Sequence, residues 1–135
     1  KELAQLVSTV IPRRMQKQGF NPATLTFQAL RIAVNNELQE LEVLLKQIPP
    51  RLKPDGRMAV ISFHSLEDRI VKHQFRKWEN PCVCPTDLPY CICDEKPLGR
   101  VLTRRPVKAS KNEVADNPRS RSAHLRVFAI DKTAS

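Results

Sequence analysis

The sequence predicts an α/β fold, and three features of its pattern lead to this class. A short apolar run, Met58–Phe63, follows the turn residues Pro54-Asp55-Gly56 and has the length and bounds of a fully buried strand. Helical periodicity resumes at Ser65, and a longer helical signal precedes the strand. Helix, strand and helix in this order are typical of the second half of a doubly wound sheet. A lone strand between two helices needs partner strands, which we expect to come from outside this chain.

The first segment of the chain predicts a short amphipathic helix. It covers Glu2–Ile11, Pro12 ends it, and a basic loop, Arg13–Gly19, follows. The chain begins inside this periodic segment, with neither an initiator Met nor an apolar signal region, so we expect it to be a piece of a longer protein. No stretch is long and apolar enough to predict a membrane span.

The longest helical signal covers Asn21–Ile48. Asn21, Thr24 and Thr26 are candidate caps, Pro22 suits a first turn, and Pro49-Pro50 stops the helix. Arg31 stands among apolar neighbours, so we predict a half-buried guanidinium with an internal carboxylate partner; a ligand carboxylate or phosphate is the alternative. The apolar positions expected to form one stripe are Phe27, Leu30, Val34, Leu38, Leu41, Leu45 and Ile48.

The junction between the predicted strand and the next helix is the first candidate for functional chemistry. Ser65 is a candidate helix cap, and Asp68, three residues later, would complete a capping box. In open α/β sheets, ligands bind at the carboxyl ends of strands. The helix face expected to pack on the sheet consists of Leu66, Ile70, Val71, Phe75 and Trp78. The polar residues at this corner are Ser62, His64, Ser65, Glu67, Asp68 and Arg69.

A loop rich in Pro, Cys and Asp, residues 80–97, holds all four cysteines of the chain. Cys82, Cys84, Cys91 and Cys93 form two Cys-x-Cys pairs separated by six residues. Four thiolates can hold one tetrahedral zinc ion, although Cys-x-x-Cys is the usual spacing. We therefore assign no metal ligand from the sequence, and zinc or metal-free thiols remain the two alternatives.

The last third of the chain, with a basic segment at 100–126, ends in a predicted strand. Residues 100–103 predict a short strand, and Thr103–Asn117 is expected to be irregular. Residues 123–130 alternate like a strand, antiparallel and either near a sheet edge or covered by helices on both sides. Asp131–Ser135 is a tail. Four cations of this segment are candidates for phosphate contacts that do not depend on nucleotide sequence: Arg104, Arg105, Lys108 and Lys111.

The charge of the chain favours a polyanionic partner. There are 23 Lys and Arg against 14 Asp and Glu, a net charge of +9. No long basic amphipathic helix is present, so nucleic acid is favoured over an anionic membrane surface. Aromatic residues make up only 5%, so no base-stacking platform is evident. The alternative is a structural or interaction domain in which the positive charge of the surface has no functional role.

Three segments together resemble the carboxy-terminal part of the bacterial RsmH family, also called MraW. They are Asn21–Leu38, Gly56–Lys72 and Asn117–Val127, in the order of the family. The most specific stretch is Ser-Phe-His-Ser-Leu-Glu-Asp-Arg at 62–69. One departure is Asn21, where the family more often carries His before Pro-Ala-Thr. Members of this family methylate the N4 amine of a cytidine in 16S ribosomal RNA.

The resemblance implies the C-terminal half of a class I, Rossmann-like methyltransferase core that uses S-adenosylmethionine. Residues 1–20 would be the end of a helical substrate-recognition insert, and residues 21–135 the carboxy-terminal part of the core. The family's Gly-rich cofactor loop would lie before residue 1, so we expect no cofactor-binding residue here and no activity from this chain alone. The implied partner is 16S ribosomal RNA in the small subunit, in the cytoplasm. Exposed sheet edges also predict self-association.

Methylation of an exocyclic amine requires that the amine be held in line, relieved of a proton and shielded from water. The base must also leave its stack. From the resemblance and the chemistry of the corner, we predict His64, Ser65 and Glu67 as catalytic residues. We predict Ser62, Arg69, Arg119 and Arg121 as RNA-binding residues.

Each of these residues could instead have a purely structural role. Ser65 and Asp68 would only cap the helix, Arg69 would pair with Glu67 or Asp68, and the two later arginines would bind core carboxylates. The alternative function is a non-enzymatic, zinc-stabilised RNA-binding module.

Overall fold

The computed structural model describes residues 1–12, 21–85, 88, 90–93 and 95–131. The chain divides into two compact units, Lys1–Glu40 and Leu41–Ser135. The predicted basic loop at 13–19 and tail residues 132–135 lie outside the described residues. The helices are α1 (Glu2–Val10), α2 (Ala23–Asn35), α3 (Glu37–Gln47), α4 (Ser65–Glu79) and α5 (Lys111–Asp116). The strands are β1 (Arg57–Ser62), β2 (Gly99–Val101), β3 (Val107–Lys108) and β4 (His124–Ile130).

The long helix predicted over 21–48 is wrong as a single element. It is broken at Asn36, whose backbone has a left-handed φ of 51° and whose amide donates to the Ile32 carbonyl. Asn tolerates this conformation better than other residues with a side chain, so it ends α2 as a C-cap. The Asn36 carbonyl accepts the Glu40 amide at 3.0 Å, so α3 begins at once. At the other end of α2 the N-cap is Pro22, without a side-chain cap, and Asn21 lies one residue earlier, where its Oδ1 accepts the Ala23 amide at 2.9 Å.

The apolar stripe predicted along this segment is only partly buried. Phe27, Leu30 and Val34 on α2 are 46%, 48% and 79% exposed, whereas Leu45 on α3 is buried. Arg31 has the predicted internal partner, because its Nε lies 2.8 Å from Glu37 Oε1. The prediction of a half-buried guanidinium is wrong, since the Arg31 side chain is 56% exposed.

The second unit is built on a four-stranded antiparallel sheet. Its order is β1-β4-β2, and β3 also pairs with β4. Ser62 lies opposite His124, and Arg57 lies opposite Ala129. The predicted strands near 100 and 123–130 are confirmed, but β4 is the central strand of the sheet and not an edge strand. The expectation that β1 would find its partners outside the chain is wrong for the edge that pairs with β4.

Helix α4 covers one face of this sheet and forms the core with it. Phe75, Trp78 and Phe128 make a cluster of three rings with centroids 5.3–5.4 Å apart. This confirms the inner face predicted for α4 at Val71, Phe75 and Trp78, but the prediction is wrong at Leu66, which is 40% exposed. The prediction that β1 is fully buried is wrong, because Ile61 is 59% exposed. An antiparallel strand in a sheet with one covered face alternates between core and solvent.

Residues 103–117 are more regular than predicted. They contain β3 and the short helix α5, which Ser110 caps by accepting the Glu113 amide at 3.1 Å. A 3₁₀ turn, Pro118–Ser122, then leads into β4.

Strand β2 approaches β4 very closely at Gly99. A Cβ atom at this position would overlap the carbonyl oxygen of Ala129. The Leu98 amide donates to the Trp78 carbonyl at 2.9 Å, and the Val101 amide donates to Glu79 Oε1 at 2.8 Å. These contacts fix the last turn of α4 against the edge of the sheet.

Candidate functional site

Helix α4 begins at the corner, and its cap is His64 rather than the predicted Ser65. His64 Nδ1 accepts the Glu67 amide at 3.4 Å. Glu67 Oε2 accepts the amides of Phe63 and His64 at 2.8 and 3.2 Å. The capping box is therefore present, but one residue earlier than predicted. His64 has an extended backbone, and its ring nitrogen takes the part that a Ser or Asp oxygen usually takes.

These contacts also define the proton on His64. Because Nδ1 is an acceptor, the neutral ring carries its proton on Nε2. That atom is fully buried and lies 3.2 Å from Glu67 Oε1. Within the described part of the chain it has no aligned hydrogen-bond acceptor. A buried donor without an aligned acceptor is costly and marks a position that calls for a functional or structural explanation.

Asp68 pairs with Arg126 instead of capping the helix or orienting Arg69. Arg126 Nε and Nη2 donate to the two Asp68 oxygens at 2.6 and 2.9 Å. This hydrogen-bonded guanidinium lowers the pKa of Asp68 below its ordinary 3.8 against the opposing effect of burial, with help from His124 and Lys72. Asp68 is therefore ionised at neutral pH and poorly suited to accept a proton.

The remaining predicted corner residues differ in exposure. Ser62 is buried and its hydroxyl lies 3.4 Å from the His124 carbonyl, which it reaches as a donor. Ser65 is exposed. Arg69 is also exposed and lines a separate groove of about 300 Å³ on α4. The Ser62 side chain thus faces the neighbouring strand β4, while the side chains of Ser65 and Arg69 reach solvent.

Arg119 and Arg121 are exposed on the 3₁₀ turn that precedes β4. The turn is fixed by Asn117, whose Oδ1 accepts the Arg119 amide at 3.3 Å and whose carbonyl accepts the Ser120 hydroxyl at 2.8 Å. Because His124 is paired with Ser62, the register brings this turn to the same end of the sheet as the corner.

A basic cleft lies between α4 and the loops beside β2. It has a volume of about 640 Å³, and Glu79 is the one acidic residue among the described residues that line it. The Glu79 carboxylate accepts a hydrogen bond from the Val101 amide, so it has a structural role at the edge of the sheet. Three of the cations come from α4 and were not among the predicted RNA-binding residues. The i, i+4 spacing of Lys72 and Arg76, which puts two cations on one helix face, is the sequence signal for them. The cations that line the cleft are Lys72, Arg76, Lys77, Arg104 and Arg126.

The four cysteines of the loop converge at one side of this cleft. Their sulfur atoms all lie within 4.8 Å of one another, and Cys82 also lines the cleft. Backbone hydrogen bonds from Glu95 and Val83 lower the pKa of Cys93 to about 6. Cys91 accepts a backbone hydrogen bond from Cys93, yet the surrounding thiols raise its pKa to about 12.

The cofactor loop of a Rossmann-like fold is rich in glycine, because the backbone there approaches the ligand closely. The two glycines of the described residues serve the fold instead. Gly99 is used where β2 meets β4, and at Gly56 a Cβ atom would lie 2.7 Å from the Lys53 carbonyl oxygen within its own turn. The third glycine, Gly19, lies outside the described residues. Among the described helices, none has the length and apolar character needed to cross a membrane.

Comparison with known proteins gives one consistent result. Residues 1–131 match the family described as the MraW methylase family. A protein of Pelobacter propionicus named Ribosomal RNA small subunit methyltransferase H is 56% identical over 130 residues, which cover 96% of this chain and 41% of the relative. Relatives of the same name occur in Trichlorobacter lovleyi (56% identity, 93% and 40% covered) and Symbiobacterium thermophilum (54%, 93% and 39%). The chain thus spans about two fifths of the length of these relatives.

Proposed function

Because the chain belongs to the MraW methylase family, we propose that it is the carboxy-terminal part of an S-adenosylmethionine-dependent enzyme that methylates the N4 amine of a cytidine in 16S ribosomal RNA. The names of its relatives support ribosomal RNA of the small subunit as the substrate. Such a substrate would place the protein in the cytoplasm. Self-association stays a prediction.

The observation that carries the proposal is the basic cleft. Four cations, Lys72, Arg76, Lys77 and Arg104, line this concave surface, and the fifth, Arg126, is paired with Asp68. Glu79, the acidic residue among its described lining, accepts the Val101 amide. Phosphate groups of RNA bind to surfaces of this kind through Lys and Arg. We propose that the cleft and the arginines of the 118–122 turn hold the RNA backbone, while Arg69 makes a further phosphate contact.

At the corner, we propose that His64 and Ser65 contact the target base. The buried Nε2 proton of His64 has no aligned acceptor among the described residues, and the Ser65 hydroxyl is exposed. Both are suitable partners for the polar edge of a cytosine that has left its stack. Use of His64 in this way would require the corner to open, since Nε2 is buried.

Glu67 is the proposed acceptor for the proton that the amine loses. The amine nitrogen is a weak nucleophile because its lone pair is delocalised into the ring, so removal of the proton must accompany attack or follow it. The two backbone amides that Glu67 accepts both bind Oε2 and leave Oε1 for a proton, whereas Arg126 binds both oxygens of Asp68. Of the two carboxylates, Glu67 is therefore the better placed for proton transfer.

The cofactor would be held mostly by residues outside this chain, because the chain covers only about two fifths of the length of its relatives. We therefore expect the chain alone to be inactive. The test is transfer of a labelled methyl group to 16S ribosomal RNA by this chain and by the complete protein that carries it. Activity only in the complete protein supports the proposal, and activity in the isolated chain would overturn the assignment of the cofactor site.

The second candidate is a non-enzymatic RNA-binding module stabilised by zinc, which the cysteine cluster favours. The same assay separates the two. RNA binding by the complete protein without any methyl transfer would support the module.

A further inference from the structure

The four cysteines of the 80–97 loop form a cluster that the proposed methyl transfer does not use. They are all of the cysteines in the chain. Described sulfur pairs are separated by 3.5 Å (Cys82 and Cys91), 3.7 Å (Cys84 and Cys91) and 3.3 Å (Cys91 and Cys93). A disulfide would bring two sulfurs to about 2.05 Å, so these are thiols in contact and not bonded pairs.

We propose that Cys82, Cys84, Cys91 and Cys93 bind one zinc ion as a closed tetrathiolate site that holds the loop beside the basic cleft. Zinc bound to thiolates is tetrahedral with Zn–S distances of about 2.3 Å, which corresponds to sulfur–sulfur distances of about 3.8 Å. The observed separations, 3.3 to 3.7 Å for three pairs and below 4.8 Å for all, require only small adjustments to reach that geometry.

The surroundings of the sulfurs also suit thiolates. The Ile92 amide donates to Cys84 Sγ at 3.4 Å, a contact that stabilises negative charge on a metal-bound sulfur. Four thiolates and one zinc ion carry a net charge of −2. The cleft that Cys82 lines supplies compensating cations, with Arg76, Lys77 and Arg104 among its walls.

The binding step balances without an oxidant. Four thiols lose four protons to solvent, four Zn–S bonds form, and the ion keeps its charge and has no redox change. A tetrahedral set of four sulfurs is typical of zinc or of iron–sulfur centres. Zinc is proposed because a closed set of four protein ligands leaves no position for substrate, which is the pattern of a structural zinc site.

The proposed zinc ion would stabilise the conformation of the loop and would have no part in the methyl transfer. Each pair of cysteines is separated by a single residue, and the two pairs are six residues apart, so one ion would join the two arms of the loop. The side chains between the cysteines are exposed: Val83 is 75% and Ile92 65% exposed. These two side chains therefore bury little apolar surface that could hold the cysteine pairs in place.

The test is metal analysis of the complete protein, expressed in zinc-supplemented medium and purified under reducing conditions without chelator. We expect one zinc per chain and four thiols that become reactive only after the metal is removed. Replacement of zinc by cobalt should give the thiolate charge-transfer and visible bands of a tetrahedral site. Zinc below stoichiometry, iron in its place, or a mass that shows two disulfides would each overturn the proposal.

Single substitutions localise the site. Cys84→Ala and Cys91→Ala should each lower bound zinc at least tenfold after dialysis against a weak chelator. Ile92→Ala is the matched control, because it removes an exposed side chain but keeps the amide that faces Cys84. Full zinc retention in either cysteine variant would contradict the assignment, and circular dichroism of each variant establishes that the core is folded.

Discussion

Arg126, on the central strand, donates hydrogen bonds from Nε and Nη2 to the two carboxylate oxygens of Asp68 in the first turn of α4. The two contacts measure 2.6 and 2.9 Å, and the Arg126 side chain is only 6% exposed. The pair joins the start of the helix to the strand on which the sheet is built. Arg126 also lines the basic cleft, so the pair belongs to the corner through Asp68 and to the cleft through Arg126.

Asp68→Asn should destabilise the protein in a manner that depends on pH. At neutral pH we expect a loss of roughly 3 kcal/mol in the free energy of unfolding, since Arg126 stays buried without its anionic partner. The pKa of Asp68 is lowered in the folded state, so its contribution is fully present above the ordinary value of 3.8 and is lost as pH falls through the folded pKa. Chemical denaturation of wild type and variant from neutral to acid pH measures the difference.

Two controls accompany the Asp68 experiment. Asp116→Asn removes an exposed carboxylate from α5 and should change stability by less than about 0.5 kcal/mol. Asp68→Leu combined with Arg126→Met should recover much of the loss, because no buried charge is left alone. If Asp68→Asn is as stable as wild type at neutral pH, the ion pair is not stabilising.

Substitutions of His64 separate capping from catalysis. His64→Ala should cost about 1 kcal/mol of stability, whereas His64→Asn keeps an acceptor for the Glu67 amide and should be close to wild type. Under the proposed function, both variants of the complete enzyme should lose methyl transfer. Thermal unfolding and the methyl-transfer assay are measured on the same samples. A His64→Asn enzyme with wild-type activity would limit His64 to the capping box.

Removing cations from the basic cleft should weaken RNA binding in a salt-dependent manner. Arg76→Ala and Arg104→Ala each remove a cation of the cleft wall. If each contacts one phosphate, the slope of log affinity against log salt should fall by about 1. Lys53→Ala is the control, since Lys53 is exposed and does not line this cleft. Titration with 16S ribosomal RNA at several salt concentrations gives the slopes, and equal slopes for Arg104→Ala and Lys53→Ala would place RNA elsewhere.

Gly99→Ala should destabilise the sheet. The new methyl group would overlap the Ala129 carbonyl oxygen, so β2 must move away from β4. We expect a loss of roughly 1–3 kcal/mol, although alanine restricts the unfolded chain and on that account alone would stabilise the protein. Arg100→Ala, at the next and exposed position of β2, serves as the comparison. Equal denaturation midpoints for the two variants would show that β2 adapts without cost.

In the second unit, the sequence pattern predicts the positions of the helices and strands better than it predicts how the strands pair. The helix at 65–79 and the strands near 57, 100 and 124 follow from periodicity. Their antiparallel order around β4 does not, because the pairing of Arg57 with Ala129 joins residues that no local pattern connects. The exposure of Ile61 follows from the same pairing, since it depends on which face α4 covers.

The corner illustrates a different limit. Capping rules favour Ser, Thr, Asp and Asn, so they predict Ser65 as the cap, although the ring nitrogen of His64 has the same acceptor chemistry. The partner of Asp68 lies in another element, and no spacing rule points from Asp68 to Arg126. In α2 and α3, the stripe at helical spacing could not reveal that Asn36 turns left-handed and ends the first helix.

The central place of β4 has a consequence for how the second unit forms during synthesis. Strands β1, β2 and β3 all pair with β4, and each precedes it in the chain. While the ribosome is still making residues 57–108, these three strands have no hydrogen-bonding partner within the described sheet. Pairing between distant segments is slow and leaves strand edges open to aggregation. The sheet can close only after His124–Ile130 has left the exit tunnel, so truncation before this strand would remove the common partner of the entire sheet.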